Sequence, residues 1–170
     1  KGEEYISLQD AKYGMEFSSI AHKQGFKDGD ILLQADGINL ESLSEEAMRL
    51  ILNAKEVYVL RGIDTVKVNI SENFMEELIT SKEGFANFRT PFVVKEIIPV
   101  TPADLAGLQA GDSLVSINGE KLTFVSEFSP ALAKNPLTET TLGLYRKGEY
   151  REINITPDAN GKIGVYLKPY

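Results

Sequence analysis

Cysteine is absent from the 170-residue chain, and histidine occurs once, at His22. Without thiols there is no disulfide framework, no thiolate nucleophile and no cysteine-based zinc site. Compartment stays open, because cysteine-free chains occur both in the cytosol and in bacterial envelopes. A Ser-His-Asp hydrolase needs a positioned imidazole. His22 falls in a segment whose counterpart further along the chain carries Asp104 at the matching place, which reads as an exposed helix surface. The motifs His-Glu-x-x-His, Gly-x-x-x-x-Gly-Lys and Gly-x-Gly-x-x-Gly do not occur. Neighbouring acids at Glu45-Glu46 and Glu76-Glu77 point apart on a helix and read as solvated faces, not as an acid–base pair. Long hydrophobic runs are missing too: the apolar runs are short, such as residues 92–94 and 97–100, far below the ~20 a membrane helix needs. No basic cluster stands out among 18 Lys and Arg against 25 Asp and Glu, a net charge of -7, which argues against a nucleic-acid partner. With no initiator methionine and no signal peptide, the chain is expected to be a piece of a larger protein.

What is present suits folded domains. Apolar residues make up 42%, enough for real cores, and the length fits one large domain or two small ones. An internal repeat chooses between them. Gly25-Phe26-Lys27-Asp28-Gly29-Asp30-Ile31-Leu32 returns as Gly107-Leu108-Gln109-Ala110-Gly111-Asp112-Ser113-Leu114, and the match continues ungapped to Leu40 and Leu122. It resumes further on, with Val68-Asn69-Ile70 against Ile153-Asn154-Ile155. Two copies mean two domains, each near the lower size limit for a core of its own. The expected division is 1–88, with a connector at 71–84, and 89–170.

Each copy has the same local grammar. Thr101-Pro102-Ala103-Asp104 starts a short helix, with an N-cap, proline at the first helical position and an acid in the first turn. Gly107 ends it. A strand follows over 113–117, and over 31–35 in copy one. Asn118-Gly119 and Asp36-Gly37 are hairpin turns. A longer amphipathic helix comes next: 44–53 in copy one, with Ser42 and Glu45 as a capping box, and a stretch carrying Phe124, Val125, Phe128, Ala131 and Leu132 in copy two, stopped at Asn135-Pro136. Two strands around a turn close each copy, over 56–60 and 65–70, then 140–145 and 150–155. Phe74, Met75, Leu78 and Ile79 predict helical turns in the apolar connector, which is expected to pack rather than to act as a floppy tether. Segment 85–92 echoes 163–170 as a final strand of its copy. The fold class is α+β, a half-open β-barrel with a short and a long helix, made twice.

The stretch 100–112, with Ala-Gly-Leu at Ala106-Gly107-Leu108, Gly-Asp at Gly111-Asp112 and then Ile117-Asn118-Gly119, resembles the bacterial form of the PDZ domain. Copy one keeps the spacing over 19–26 but lacks the proline and the Ala-Gly pair. A diverged first copy, a tidy second and the closing 163–169 segment resemble the paired PDZ domains of the regulator-of-sigma-E protease family, zinc-dependent site-2 proteases of the bacterial inner membrane. That resemblance implies an extracytoplasmic, periplasmic module that screens substrates for a membrane-embedded protease in regulated intramembrane proteolysis, within the envelope stress response. Anti-sigma factors and signal-peptide remnants are the implied substrates. Zinc is expected in the parent's membrane domain, and no cofactor, metal ligand or catalytic residue in this piece. The implied partners are protein C-terminal tails or substrate membrane proteins, and the parent's transmembrane protease domain. The alternative is the PDZ pair of an envelope serine protease of the trypsin-like class.

A PDZ groove holds an extended peptide tail against an open strand edge beside the long helix, with loop N–H groups on the terminal carboxylate. By position, copy one offers the loop Tyr13-Gly14-Met15, a strand through Phe17, and the helix wall Leu50 and Ile51. Copy two offers Thr90 and Phe92 in the loop, Val94 in the strand, and Phe128 and Leu132 in the wall. Leu50, Ile51, Phe128 and Leu132 read as ordinary core before they read as pocket, and Gly14 reads equally as a turn residue. Pro91 removes one N–H donor from the second loop.

Overall fold

A computed structural model describes residues 7–169. The expected closing strand of copy two ends at Tyr170, which lies outside the described residues. The chain divides into two compact units, 1–89 and 90–170, each around its own apolar cluster.

Unit 1 opens with a 3₁₀ turn at Leu8–Asp10, followed by β1 (Met15–Phe17), α1 (Ser19–Gln24), β2 (Ile31–Ala35), β3 (Ile38–Asn39), α2 (Glu45–Leu52), β4 (Glu56–Arg61) and β5 (Asp64–Asn69). It ends with α3 (Phe74–Ser81) and β6 (Ala86–Phe88). Unit 2 repeats the order without the extra helix: β7 (Val94–Ile97), α4 (Pro102–Ala106), β8 (Ser113–Ile117), β9 (Glu120–Lys121), α5 (Val125–Ala133), β10 (Thr140–Arg146), β11 (Glu149–Ile155) and β12 (Val165–Leu167). In each unit a four-stranded antiparallel sheet, ordered β3-β2-β4-β5 or β9-β8-β10-β11, accompanies a two-stranded ribbon, β1-β6 or β7-β12. The closing strand of each unit thus pairs with the opening one.

Local chemistry explains the elements. Ser18 and Thr101 accept N–H bonds from Ala21 and Asp104 and start the short helices. Gly25 and Gly107 end them in the left-handed region. At both hairpins the two turn residues have positive φ, 46° and 81° at Asp36-Gly37 and 48° and 82° at Asn118-Gly119. That geometry matches the twist of the flanking strands. One expected cap is displaced. Ser44, not Ser42, caps α2 by accepting from the Ala47 N–H, while Ser42 bridges to Ser7.

The repeat also carries two ion pairs, each on a buried aspartate. Asp30 meets Arg61 and Asp112 meets Arg146, each with two side-chain hydrogen bonds of 2.8–2.9 Å. Each arginine also donates to the carbonyl of the glycine that ends the short helix, Gly25 or Gly107. The connector folds as α3, which buries Phe74 and Leu78 and leaves Ile79 71% exposed. Phe74 and Phe85 join Phe17 and Phe26 in an aromatic cluster with ring centroids 5.0–6.0 Å apart.

Candidate functional site

The loop before β12 is shaped by Asp158. Its carboxylate accepts the N–H groups of Asn160 and Lys162, and its backbone closes on Lys162 and Gly161. Gly161 sits at φ 75°, and a Cβ there would lie 2.5 Å from the Cα of Ala133. The loop backbone therefore rests directly on α5. Gly164 follows at φ 88°, where a Cβ would run into the Thr101 side chain. Both positions need glycine for conformation and for space.

The carbonyls of this loop are bonded: Ile163 accepts from Ala103 and Gly164 from Ile98. The N–H groups of Ile163 and Gly164 have no acceptor among the described residues. Successive unpartnered N–H groups around a left-handed residue form a concave anion-binding nest. Beyond it, the register decides which edge of β12 is free. Gly164 and Lys168 bond to Ile98 and Val93, the residues flanking β7, and Tyr166 faces Glu96 between them. Antiparallel alternation then turns the N–H and C=O of Val165 and Leu167 to the other edge. That edge has no strand partner among the described residues.

Between this edge and α5 lies a cleft of about 340 Å³. Phe92, Ile98, Leu132, Ile163 and Leu167 make it apolar, and Ser129 and Ala133 keep its helix side low. Lys162 stands at the loop end. A nest for an anion, an open strand edge and an apolar trough lie in line.

The expected site residues divide. Phe92 and Leu132 reach the cleft. Phe128 is fully buried under it, its ring edge-on to Phe92 with centroids 5.2 Å apart, and Val94 is core on β7. The loop expected around Thr90 to Phe92 is occupied otherwise. Phe92 donates to Thr123, and the carbonyl of Thr90 accepts from Val125, so this segment stitches β7 to the start of α5. The loop at Tyr13, Gly14 and Met15 is likewise bonded internally. Gly14 donates to Ala11 and Met15 to Asp30, and Gly14 is packed against the Gly29 carbonyl. Tyr13 lies at the surface, 37% exposed. Phe17 is buried, and its N–H goes to Asp28. Ile51 is core. Leu50 lines a different crevice beside Ile38. The residues missed are Gly161, Ile163, Gly164, Val165 and Leu167, with Ser129 and Ala133 on the helix. Their signal was in view: two glycines three apart, immediately before a short apolar strand.

His22 lies within 2.9 Å of Asp28 on the surface. Among the described residues no three His, Cys, Asp or Glu side chains converge to hold a metal ion. Among them, too, no helix is long and apolar enough to cross a membrane.

Comparison with known proteins places the second unit. Residues 93–146 match the PDZ domain family. Protease eep of Enterococcus faecalis is 33% identical over 84 residues, 45% of this chain and 19% of that protein. Serine protease HTRA1 of Xenopus tropicalis is 33% identical over 90 residues, 53% of this chain and 19% of that protein. A Neisseria meningitidis protein named as a zinc metalloprotease is 23% identical over 173 residues, 91% of this chain and 39% of that protein. The chain thus spans under half the length of each of these relatives.

Proposed function

We propose that this chain, whose second unit is a PDZ domain within a pair of PDZ-like folds, is the extracytoplasmic substrate-recognition and size-filter module of a membrane-embedded zinc site-2 protease. The reading takes 1–88 and 89–170 as separate domains. The observation that carries it is the alignment of nest, open β12 edge and apolar cleft in unit 2. An extended C-terminal tail lies along β12 with its carboxylate on the N–H groups of Ile163 and Gly164. Its backbone pairs with Val165 and Leu167, and its last side chain enters the cleft between Leu132 and Ile163. The chemistry is recognition alone. Cleavage, and the zinc that supports it, belong to other parts of the parent protein, in the inner membrane.

A second reading, the PDZ pair of an envelope serine protease, is favoured by the HTRA1 similarity. The metalloprotease reading is preferred because the Neisseria relative aligns over 91% of the chain, through both repeats, whereas HTRA1 aligns over 53%.

Calorimetric titration with an octapeptide ending in two valines tests the groove. The peptide with a free carboxylate is expected to bind at least tenfold more tightly than its C-terminal amide. Equal affinities would remove the nest from the account. Absence of binding by either form would leave steric filtering as the module's only role.

A further inference from the structure

We propose that the chain has a single working groove, opened in unit 2 by Ser129 and Ala133 and closed in unit 1 by Met48, Leu52 and Phe85. This rests on the peptide-binding reading of unit 2 and extends it to the number of tails bound per chain.

The two long helices can be placed in register by what they bury. Ala47 and Ile51 of α2 are core residues, as are Phe128 and Leu132 of α5. The crevice on the outer side of each helix repeats the match, with Glu46, Arg49 and Leu50 in unit 1 standing where Glu127, Pro130 and Ala131 stand in unit 2. One residue past each buried position comes the side that faces the closing strand. In unit 2 these residues are Ser129 and Ala133, both exposed and lining the cleft. In unit 1 they are Met48 and Leu52, both half-buried and packed against the core. Two long side chains thus stand where the open groove has a hydroxyl and a methyl.

The loop differs in the same sense. In unit 2 its backbone approaches α5 so closely that Gly161 nearly touches the Cα of Ala133. Leu52 at the corresponding place on α2 leaves no room for that approach. The strand register then identifies the residue matching Gly164. Ile98 donates to Gly164, and Ser18, at the same point after β1, donates to Phe85. Unit 1 therefore has phenylalanine where the nest needs a left-handed glycine, and neither Phe85 nor Gly84 has positive φ. The Phe85 ring is buried instead among Phe17, Phe26 and Phe74. Wall, loop and strand head all change together toward a filled groove.

The test uses the whole chain, isotope-labelled, and the same octapeptide. One peptide per chain is expected. Amide shifts should fall at Ile163 to Leu167 and at Ser129, with none at Met48 or Ala86. A stoichiometry of two, or shifts at Met48 and Ala86, would overturn the proposal while leaving peptide binding intact. Ala133→Leu and Ser129→Met should each weaken binding at least tenfold with an unchanged far-ultraviolet spectrum. Met48→Ser with Leu52→Ala should leave the affinity of unit 2 within twofold. Should no peptide bind, the reading of unit 2 falls and the closure of unit 1 is judged separately, in peptide-free protein with a soluble nitroxide. The methyls of Met48 and Leu52 should broaden much less than those of Ile63, which is 96% exposed; equal broadening would overturn the proposal.

Discussion

At the scale of single residues, the duplicated ion pairs show what the repeat preserves besides apolar pattern. The Asp112 side chain is fully buried and that of Arg146 is 17% exposed. Burial opposes ionisation of Asp112, but hydrogen bonds from Arg146 and the Gln109 N–H, with the positive charges of Arg146 and Arg151, outweigh it and hold the carboxyl below its usual range. A carboxyl whose pKa is lower in the folded than in the unfolded chain stabilises the fold fully above the unfolded value of about 3.9, and that contribution is lost as pH falls through the folded value. Urea denaturation from pH 6 to pH 2 is therefore expected to show acid destabilisation of unit 2 that is smaller in Asp112→Asn. Arg146→Met, which strands the buried carboxylate, should cost about 3 kcal/mol at neutral pH. Gly164 poses the opposite problem, since any Cβ there is forced both by φ and by Thr101. Gly164→Ala is expected to weaken peptide binding at least tenfold in calorimetry, because the loop must shift and the nest with it.

At the scale of elements, strands, hairpins and the caps of the short helices were legible because each is set by neighbours in sequence. The strand 113–117 and the turns at Asp36 and Asn118 depend on alternation and on residues tolerant of positive φ. The groove was not legible, since its parts come from opposite ends of a unit: α5 at 125–133 and the loop and strand at 158–167. The segment around Thr90 suggests a binding loop only because it precedes a strand. Only the pairing of β12 with β7 shows that the free edge belongs to the later strand. This assignment has its own test in amide hydrogen exchange. The N–H of Tyr166, facing Glu96 in a bonded pair, should exchange slowly, and those of Val165 and Leu167 quickly. The octapeptide should slow Val165 and Leu167 at least tenfold and leave Tyr166 nearly unchanged. Uniform protection along β12 would show that its outer edge is already covered.

At the scale of the whole molecule, duplication was legible because Gly-Asp, the hairpin turns and the helix spacing all recur, and two recurrences cannot share one small core. What the repeat concealed is divergence of role. Side chains at matching helix positions differ, small in unit 2 and large in unit 1, without disturbing the apolar periodicity by which a core-facing helix is recognised, so that periodicity does not single out Met48 and Leu52. If each unit holds its own centre, damage to one should spare the other's function. Ile51 is fully buried in the first cluster, and truncating such a side chain to alanine costs about 2–5 kcal/mol, a large share of the stability of a domain this small. Ile51→Ala is expected to split the urea transition, with unit 1 melting first, while the octapeptide still binds unit 2 within twofold of its original affinity. Loss of binding in step with unfolding of unit 1 would mean that the second groove depends on the first core, and that the copies act as one cooperative body.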